Sequence, residues 1–307
     1  MYDMIVIGGG PAGYTAALYA VRAGMTCAVI EKMSIGGQLT LTDIVDNYPG
    51  FNEGIDGITL GMHMQAGAER FGAKSIYDDV SALILDAPVK KVVCTSGEYE
   101  ARCVVIATGA SPRLLGLAGE SELTGRGVHY CAHCDGRFYK GKRVVVIGGG
   151  NSAVGDALYL SRLCERVTLV HRRDTLRASK IYDEPLRSTD NIDIVYNSIA
   201  ESFSVGEGGR VCGLEIRSTK TSESSMLECD GVFVSIGRVP ATQLVEGMLE
   251  LDGAGYIVAD ESTRTSIDGV FAAGDVRTKA LRQIVTAVSD GAVAAHFAEE
   301  YLSGIEK

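Results

Sequence analysis

The sequence predicts an α/β fold with two Rossmann-like, dinucleotide-binding domains. Two observations carry this prediction: an apolar strand followed by a Gly-rich turn near residue 8, and the same construction near residue 148. The chain also has 38 Gly among its 307 residues, well above a background of about 7%. Because its length is about twice that of an average domain, both modules fit into one chain.

The first module opens with a strand from Met4 to Ile7, continues with a helix that ends near Ala23, and closes with a strand that ends at Glu31. The turn residues expected to surround a nucleotide are Gly8, Gly10, Pro11, Ala12 and Gly13. Gly residues permit a tight bend and let backbone N–H groups approach a pyrophosphate. Because a carboxylate accepts hydrogen bonds from ribose hydroxyls, Glu31 indicates FAD or NAD.

The second module repeats this order of elements. A strand from Arg143 to Ile147 precedes the turn, a helix extends to about Leu163, and a second strand covers Arg166 to Val170. The corresponding turn residues are Gly148, Gly150, Asn151, Ser152 and Ala153. We therefore expect a second nucleotide site.

The residue after the second strand distinguishes the two modules. Eighteen residues separate Gly13 from Glu31, and 18 residues also separate Ala153 from His171, so His171 replaces the acidic residue. Three basic residues follow it, namely Arg172, Arg173 and Arg177. Guanidinium groups form paired hydrogen bonds with phosphates, so this site is expected to bind the 2′-phosphate of NADP(H).

A second repeat indicates how the domains are arranged. A strand is predicted to close each module, from Val104 to Pro112 and from Val232 to Pro240, and each follows a stretch typical of a small antiparallel β layer. A long amphipathic segment from Arg282 to Leu302 has no module of its own. We expect it to return to the first domain, so residues 113–245 would be inserted between residues 1–112 and 246–307.

Charge and hydropathy exclude several classes of protein. The net charge of −10 argues against bulk affinity for nucleic acid or an anionic membrane. Residues 4–21 carry no charge, but four Gly and Pro11 interrupt them, which argues against a membrane-spanning helix. Asp3 leaves no basic region for a signal peptide, so we expect a cytoplasmic protein.

Eight Cys residues are too few for a secreted disulfide scaffold. Six lie among apolar neighbours and are expected to be core thiols: Cys27, Cys94, Cys103, Cys164, Cys212 and Cys229. The other two, Cys131 and Cys134, form a CxxC motif near a βαβ unit, which indicates dithiol chemistry. His129 and His133 raise the alternative of a zinc site, but no second ligand segment exists, so we expect no metal.

Several further motifs carry a resemblance to a known family. They are GGGPAGYTAA, the loop Gly36-Gly37-Gln38-Leu39-Thr40, Asn47-Tyr48-Pro49-Gly50, Ala107-Thr108-Gly109, CxxCD at 131–135, HRRxxxR at 171–177, and Gly274-Asp275 with Arg282-Gln283. Over essentially its whole length the chain resembles the low-molecular-weight, bacterial-type thioredoxin reductases, flavoproteins with two dinucleotide-binding domains. The resemblance implies FAD in the first domain, NADPH in the second, and a homodimer.

The resemblance also implies a set of flavin-contacting positions. They are Gly37, Gln38, Leu39, Asn47, Val80, Ala107, Thr108, Gly109, Gly274, Asp275, Arg282, Gln283 and Ile284. Independently, a carboxylate such as Asp275 suits a ribityl hydroxyl, and a helix that begins near Arg282 would stabilise the negative charge of reduced flavin. Gln38 and Asn47 have an alternative role, which is to satisfy backbone groups of their loops.

The activity implied by the resemblance is transfer of electrons from NADPH through FAD and the Cys131–Cys134 disulfide to thioredoxin. Cys134 would face the flavin, Cys131 would attack the partner, and Asp135 would act as acid or base. His133 stands where relatives carry Thr or Val; its imidazolium would favour a thiolate, or it is a solvent-facing spacer. The inserted domain is expected to swivel between the two reactions.

Two alternatives remain open. Arg137 stands where relatives have a docking Phe, so another partner, glutaredoxin-like or peroxiredoxin-linked, stays possible. A flavin-containing redox sensor is the alternative from a different functional class, and the complete HRRxxxR motif argues against it.

Overall fold

The computed structural model describes residues 1–32, 35–42 and 44–305. The strands, in chain order, are β1 (Tyr2–Ile7), β2 (Cys27–Glu31), β3 (Ile44–Val45), β4 (Ile55–Asp56), β5 (Lys74–Tyr77), β6 (Val80–Ile84), β7 (Lys90–Cys94), β8 (Glu98–Ile106), β9 (Ala110–Pro112), β10 (Val128–His129), β11 (Arg143–Ile147), β12 (Arg166–Val170), β13 (Ile192–Val195), β14 (Ser198–Val205), β15 (Val211–Ser218), β16 (Ser224–Glu228), β17 (Gly231–Val234), β18 (Arg238–Pro240) and β19 (Val270–Ala272). The α-helices are α1 (Pro11–Arg22), α2 (Gly57–Glu69), α3 (Ala132–Asp135), α4 (Asn151–Ser161), α5 (Asp183–Arg187) and α6 (Ile284–Ile305). Short 3₁₀ turns cover Gly37–Leu41, Gly136–Tyr139, Lys180–Tyr182, Gln243–Val245 and Gly274–Val276.

The chain divides into two compact units. The first unit contains Met1–Ser111 and Val239–Lys307, and the second unit, Pro112–Arg238, is inserted in it. The return to the first unit comes earlier than the predicted boundary at residue 245. Ala241 already belongs to the first unit, because its N–H donates to Gly109 O over 3.0 Å and its carbonyl accepts from the Thr108 hydroxyl over 2.7 Å. Which nucleotide each unit binds stays a prediction.

The first unit is built on a parallel sheet with the strand order β5-β2-β1-β8, and β19 pairs with β8 as well. Strand β8 belongs to two layers. Its later residues pair with β1 in parallel, whereas its earlier residues pair with β7 in the antiparallel layer β6-β7-β8. The predicted antiparallel layer is therefore a continuation of the parallel sheet.

Side chains of β1 alternate between two apolar cores. Met4 and Val6 face one core, and Ile5 and Ile7 face the other. A strand that is buried on both faces reads as a continuous apolar segment, which accounts for the uncharged start of the sequence. No helix within the described ranges combines the length and apolar character that a membrane crossing requires.

The C-terminal helix α6 packs on α1, so the amphipathic tail does return to the first unit. The helices approach closely at Gly291, where an added Cβ would lie 2.9 Å from the backbone nitrogen of Ala16. Small residues on both helices permit this contact, since Ala16, Ala294 and Ala298 are all buried. The helix begins at Ile284 rather than near Arg282, two residues later than expected.

The second unit has a five-stranded parallel sheet, with the order β10-β17-β11-β12-β13, and an antiparallel layer, β14-β15-β16. Strands β11 and β12 have the predicted bounds. The predictions of one continuous strand from Val104 to Pro112 and another from Val232 to Pro240 are wrong, because each range is split into two strands. Gly109 (φ 72°) and Gly237 (φ 110°) turn the backbone away from the extended conformation between the two parts.

The expectation that six Cys residues are core thiols is wrong for one of them. Cys27, Cys94, Cys103, Cys164 and Cys229 are buried, but Cys212 is exposed. Cys212 is the additional residue of a β-bulge, since Ser204 pairs with Gly213 and Val205 pairs with Val211. The bulge removes this side chain from the alternation that buries Leu214 and Ile216.

Candidate functional site

The first Gly-rich turn joins β1 to α1 and leaves the N-terminus of this helix without a side-chain cap. An added Cβ at Gly13 would collide with the carbonyl oxygen of Gly8, so this contact requires Gly. At Gly10, in contrast, the nearest atom to an added Cβ is 4.0 Å away. Backbone N–H groups that have no side-chain cap and no close neighbour are a site for an anion such as a pyrophosphate.

Glu31 lies at the end of β2, beside this turn. Its Oε2 accepts a hydrogen bond of 2.7 Å from the backbone N–H of Gly9. The structure thus brings the predicted ribose ligand to the predicted phosphate turn. Gly36 joins them, because its N–H donates to Gly9 O over 2.9 Å and the Gly37–Leu41 turn follows directly.

Predicted flavin contacts of the first unit make contacts with residues that are distant in sequence. Asn47 Nδ2 donates to Gln283 Oε1 over 2.9 Å, 236 positions away in sequence. The Gln38 amide donates to the carbonyl oxygen of Ala110 on β9, 72 positions away and outside its own loop. Arg282 stacks over the ring of Tyr256, with the guanidinium carbon 4.0 Å from the ring centroid.

Three further predicted positions of the first unit lie on a turn after β19 and at the start of β6. Gly274 and Asp275 form a 3₁₀ turn after β19, and Arg282 Nε donates to the Asp275 carbonyl over 3.4 Å. Val80 begins β6 and packs, partly buried, against the core that contains Ile5. Whether these side chains contact a flavin stays a prediction.

Asp290 supports the Gly274-Asp275 turn, and the sequence did not predict this role. Buried Asp290 on α6 accepts hydrogen bonds from Gly274 N–H (2.9 Å), Arg277 Nη1 (3.0 Å) and Lys279 Nζ (2.7 Å). These bonds hold the Gly274-Asp275 turn on the helix. No sequence signal pointed to this role, because Asp290 lies on a helix and its partners lie on a preceding loop.

The second Gly-rich turn joins β11 to α4 and repeats the arrangement of the first. The N-terminus of α4 has no side-chain cap, and an added Cβ at Gly150 would meet no atom within 4 Å. Asn151 Oδ1 accepts from the Ser179 N–H over 2.8 Å. The Arg177 N–H donates to Gly149 O over 2.6 Å, so the basic segment is tied to the turn.

His171 lies against Gly149, where an added Cβ would collide with the imidazole ring. The side chain is buried, and its Nε2 has no hydrogen-bond partner among the described residues. Burial lowers the pKa of His171, and the charges of Arg177 and Arg172 act in the same direction. Arg172, Arg173 and Arg177 are exposed, so their guanidinium groups are accessible to a phosphate.

The CxxC motif forms a disulfide at the start of α3. Cys131 and Cys134 are bonded, with Cα atoms 5.3 Å apart. Cys131 is the N-cap residue of this short helix, and its Sγ accepts from the Cys134 N–H over 3.2 Å. The predicted redox pair is therefore already in bonding contact.

Asp135, the predicted acid or base, contacts a residue that the sequence analysis considered only as a metal ligand. His129 Nδ1 lies 3.0 Å from Asp135 Oδ2, and His129 Nε2 lies 2.7 Å from the hydroxyl of Tyr139. The imidazole is buried and stacks on Phe233, with centroids 5.3 Å apart. Burial raises the pKa of Tyr139, which keeps its hydroxyl protonated.

His133 has different partners. Its ring stacks on Tyr159 of α4, with centroids 4.3 Å apart, and its Nδ1 lies 3.9 Å from Asp156 Oδ1. Burial raises the pKa of Asp156, against the opposing effects of the Ser235 hydroxyl, 2.6 Å away, and of His133. Within the described ranges, no three His, Cys, Asp or Glu side chains are grouped so that they could hold a metal ion.

A family model described as pyridine nucleotide-disulphide oxidoreductase matches residues 2–291. The chain belongs to this pyridine nucleotide-disulphide oxidoreductase family. The two Gly-rich turns and the disulfide are the features expected of such an enzyme, so the chain is an oxidoreductase that uses a flavin and a nicotinamide dinucleotide.

Relatives within the family are thioredoxin reductases. The chain is 46% identical to "Thioredoxin reductase" of Listeria monocytogenes, over 100% of this chain and 96% of the relative. It is 47% identical to "Bifunctional thioredoxin reductase/thioredoxin" of Mycobacterium leprae, over 99% of this chain and 66% of the relative. The crystal structure of thioredoxin reductase from Streptococcus pyogenes superimposes with a TM-score of 0.93, at 43% identity and 99% coverage of both chains.

These findings confirm the predicted fold class and the resemblance to bacterial-type thioredoxin reductases. The predicted roles of individual site residues in this family member, the identity of the nucleotides and the subunit composition stay predictions.

Proposed function

We propose that this chain is an NADPH-dependent thioredoxin-disulfide reductase that passes electrons from NADPH through FAD and the Cys131–Cys134 disulfide to thioredoxin. The observation that carries the proposal is the disulfide at the N-terminus of α3, in the unit that also contains the second dinucleotide turn. The thioredoxin reductases among its relatives, which align over nearly the whole chain, support the same activity.

The residues of the first unit suit FAD. The uncapped N-terminus of α1 would hold the pyrophosphate, and Glu31 would hold the ribose. The lack of a close contact at Gly10, where the nearest atom to an added Cβ is 4.0 Å away, supports this assignment. FAD held by these residues would supply a two-electron carrier between a nicotinamide and a disulfide.

The residues of the second unit suit NADPH rather than NADH. Exposed Arg172, Arg173 and Arg177 carry three positive charges near the end of β12, where the 2′-phosphate of the adenosine would lie. Burial lowers the pKa of His171, so a neutral imidazole lies there and no additional positive charge is removed from water. The N-terminus of α4, which has no side-chain cap, would hold the pyrophosphate.

The two Cys residues and Asp135 perform the exchange with thioredoxin. After reduction, the Cys131 thiolate attacks one sulfur of the thioredoxin disulfide, which forms a mixed disulfide and releases the first thioredoxin thiolate. The Cys134 thiolate then attacks the Cys131 sulfur, which restores the Cys131–Cys134 bond and releases the second thiolate. Asp135 takes the proton from the Cys134 thiol and gives it to one of the two thioredoxin thiolates. The proton lost by the Cys131 thiol goes to the other thioredoxin thiolate.

A basic and apolar surface beside the disulfide supports a protein as the substrate. Phe138 is 43% exposed on the turn after α3, and its sequence neighbours Arg137, Lys140 and Lys142 are exposed basic residues. Such a surface attracts an acidic partner. The M. leprae relative carries both activities of its name in one chain, which supports thioredoxin as this partner.

We also propose a cytoplasmic homodimer. Apolar side chains are exposed on three packed helices of the first unit, namely Tyr19 on α1, Ile58 and Met62 on α2, and Val285 on α6. A second copy would bury this surface. The five buried thiols agree with a reducing compartment.

Anaerobic titration of the holoprotein with NADPH, followed by thioredoxin from the same cell, tests the proposal. We expect bleaching of the flavin absorbance by NADPH and rapid reoxidation by thioredoxin. Loss of turnover in Cys131→Ser and Cys134→Ser, with retention in Cys212→Ser, would support the redox pair. Reoxidation by a glutaredoxin-like or peroxiredoxin-linked protein, but not by thioredoxin, would refute the proposed partner.

A further inference from the structure

The buried imidazole of His129 is held at both nitrogen atoms. One nitrogen contacts Asp135, next to the disulfide, and the other contacts Tyr139. Phe233 covers one face of the ring. A buried side chain with two polar contacts and one aromatic contact has a single orientation, so it fixes the groups that it touches.

The direction of the hydrogen bonds follows from the chemistry of the partners. A carboxylate only accepts, so Nδ1 of His129 carries a proton and donates a hydrogen bond to Asp135. Nε2 then accepts from the Tyr139 hydroxyl, and Arg210 donates to the oxygen of this hydroxyl. The series therefore leads from Arg210 to the Tyr139 hydroxyl, from this hydroxyl to His129 Nε2, and from His129 Nδ1 to Asp135.

We propose that His129 is a positioning residue for Asp135, whose carboxylate it holds by donating the Nδ1 proton, while Tyr139 fixes the ring from the opposite side. This inference rests on the proposed thiol exchange, in which Asp135 takes up and releases a proton. His133 has a separate role, since its imidazole faces Asp156 on α4.

The surroundings of His129 favour this arrangement. Tyr139 faces Lys142, whose Nζ lies 5.5 Å from the ring centroid, as well as Arg210 and Asp230. Asp135 is the carboxylate in contact with the imidazole, and its side chain is 17% exposed. The carboxylate oxygen Oδ2 lies 3.0 Å from Nδ1, so the hydrogen bond fixes the carboxylate in one orientation.

Two amide variants separate the contacts of the two ring nitrogens. In His129→Asn, an amide nitrogen can replace Nδ1 and donate to Asp135; in His129→Gln, it replaces Nε2 on the side of Tyr139. We expect His129→Gln to lower kcat about tenfold with KM for thioredoxin within about twofold, whereas His129→Asn keeps kcat within about threefold of the wild type. The acidic limb of the kcat–pH profile should move to higher pH in the Gln variant alone. Equal effects of the two substitutions, or an unchanged acidic limb in the Gln variant, would overturn the proposal.

A second measurement does not depend on the partner. The rate of thiol alkylation is measured against pH in the dithiothreitol-reduced holoprotein. The step in this profile that Asp135→Asn abolishes is assigned to Asp135. The pH of this step should rise in His129→Gln and stay unchanged in His129→Asn. His129→Leu loses both polar contacts and should behave like His129→Gln. If His129→Leu does not fold, the comparison of His129→Asn with His129→Gln remains the test. Failure of the wild type to reduce thioredoxin would refute the proposed function, whereas an unmoved alkylation step would refute the role of His129.

Discussion

The carboxylate of Glu31 is joined to the backbone N–H of Gly9 by a hydrogen bond of 2.7 Å, so the end of β2 is fixed on the first Gly-rich turn. His171 occupies the corresponding place on the second turn, where its ring lies against Gly149. The two units thus use one backbone design with different side chains. An acid suits ribose hydroxyls, whereas a neutral imidazole among three Arg residues suits a phosphate.

Substitution Glu31→Ala should weaken FAD binding about tenfold, because a charged hydrogen-bond acceptor is removed from the ribose position. Fluorescence titration of the apoprotein with FAD measures this change. The control is Glu53→Gln, at an exposed acid of the same unit, which should leave the FAD dissociation constant unchanged. Equal FAD affinity of wild type and Glu31→Ala would contradict the assignment.

The double substitution of Arg172 and Arg173 by Ala should lower kcat/KM for NADPH about 100-fold, since two charge-assisted contacts with the 2′-phosphate are lost. The value for NADH should stay within about twofold. Steady-state kinetics with both nucleotides measure the ratio, and Arg187→Ala, at an exposed Arg on α5, is the control. A parallel loss for NADH would show that these residues act on folding and not on the phosphate.

Substitution His133→Thr should lower the reduction potential of the Cys131–Cys134 pair by about 10–30 mV, because it removes, within the CxxC motif, a side chain that can carry a positive charge and favour a thiolate. Equilibration of the protein with glutathione buffers, followed by alkylation of free thiols, measures the potential. Tyr159→Leu, which removes the stacking partner but keeps the imidazole, is the matched control. An unchanged potential and pH profile would leave His133 as a spacer.

Stability at acidic pH should depend on Asp3. Burial alone would raise its pKa, but hydrogen bonds from the backbone N–H of Thr26, Arg102 and the Thr26 hydroxyl lower the pKa below the ordinary value of 3.8. The folded state therefore gains stability from the Asp3 carboxylate above this value and loses it as the pH falls through the lower folded-state pKa.

We expect Asp3→Asn to lower the Tm by about 2 °C at pH 7, with the difference shrinking towards pH 3. Thermal unfolding followed by circular dichroism at both pH values provides the test. Asp86→Asn, at an exposed position, should have no effect at either pH. A difference between Asp3→Asn and wild type that persists unchanged at pH 3 would contradict the assignment to this carboxylate.

Predictions succeeded where neighbouring residues carry the information. The bounds of β11 and β12 follow from short apolar segments between polar ends, and the amphipathic pattern from Arg282 to Leu302 predicts a helix. The return of this helix to the first unit is expected because no module of its own accompanies it. The same reasoning missed the interruptions at Gly109 and Gly237, because apolar pattern does not report a positive φ. It also placed Cys212 in the core, since a β-bulge depends on pairing with another strand.

Contiguous residues determined the chemistry of this protein: two Gly-rich turns, a basic segment after the second, and a CxxC motif that closes within one helical turn. Their physical requirements are local, so they are visible in the sequence. Tertiary structure decided which side chains support them. Asp290 holds Gly274, and His129 holds Asp135, because packing brings separate elements into hydrogen-bond distance at buried sites, where an unpaired polar group is costly.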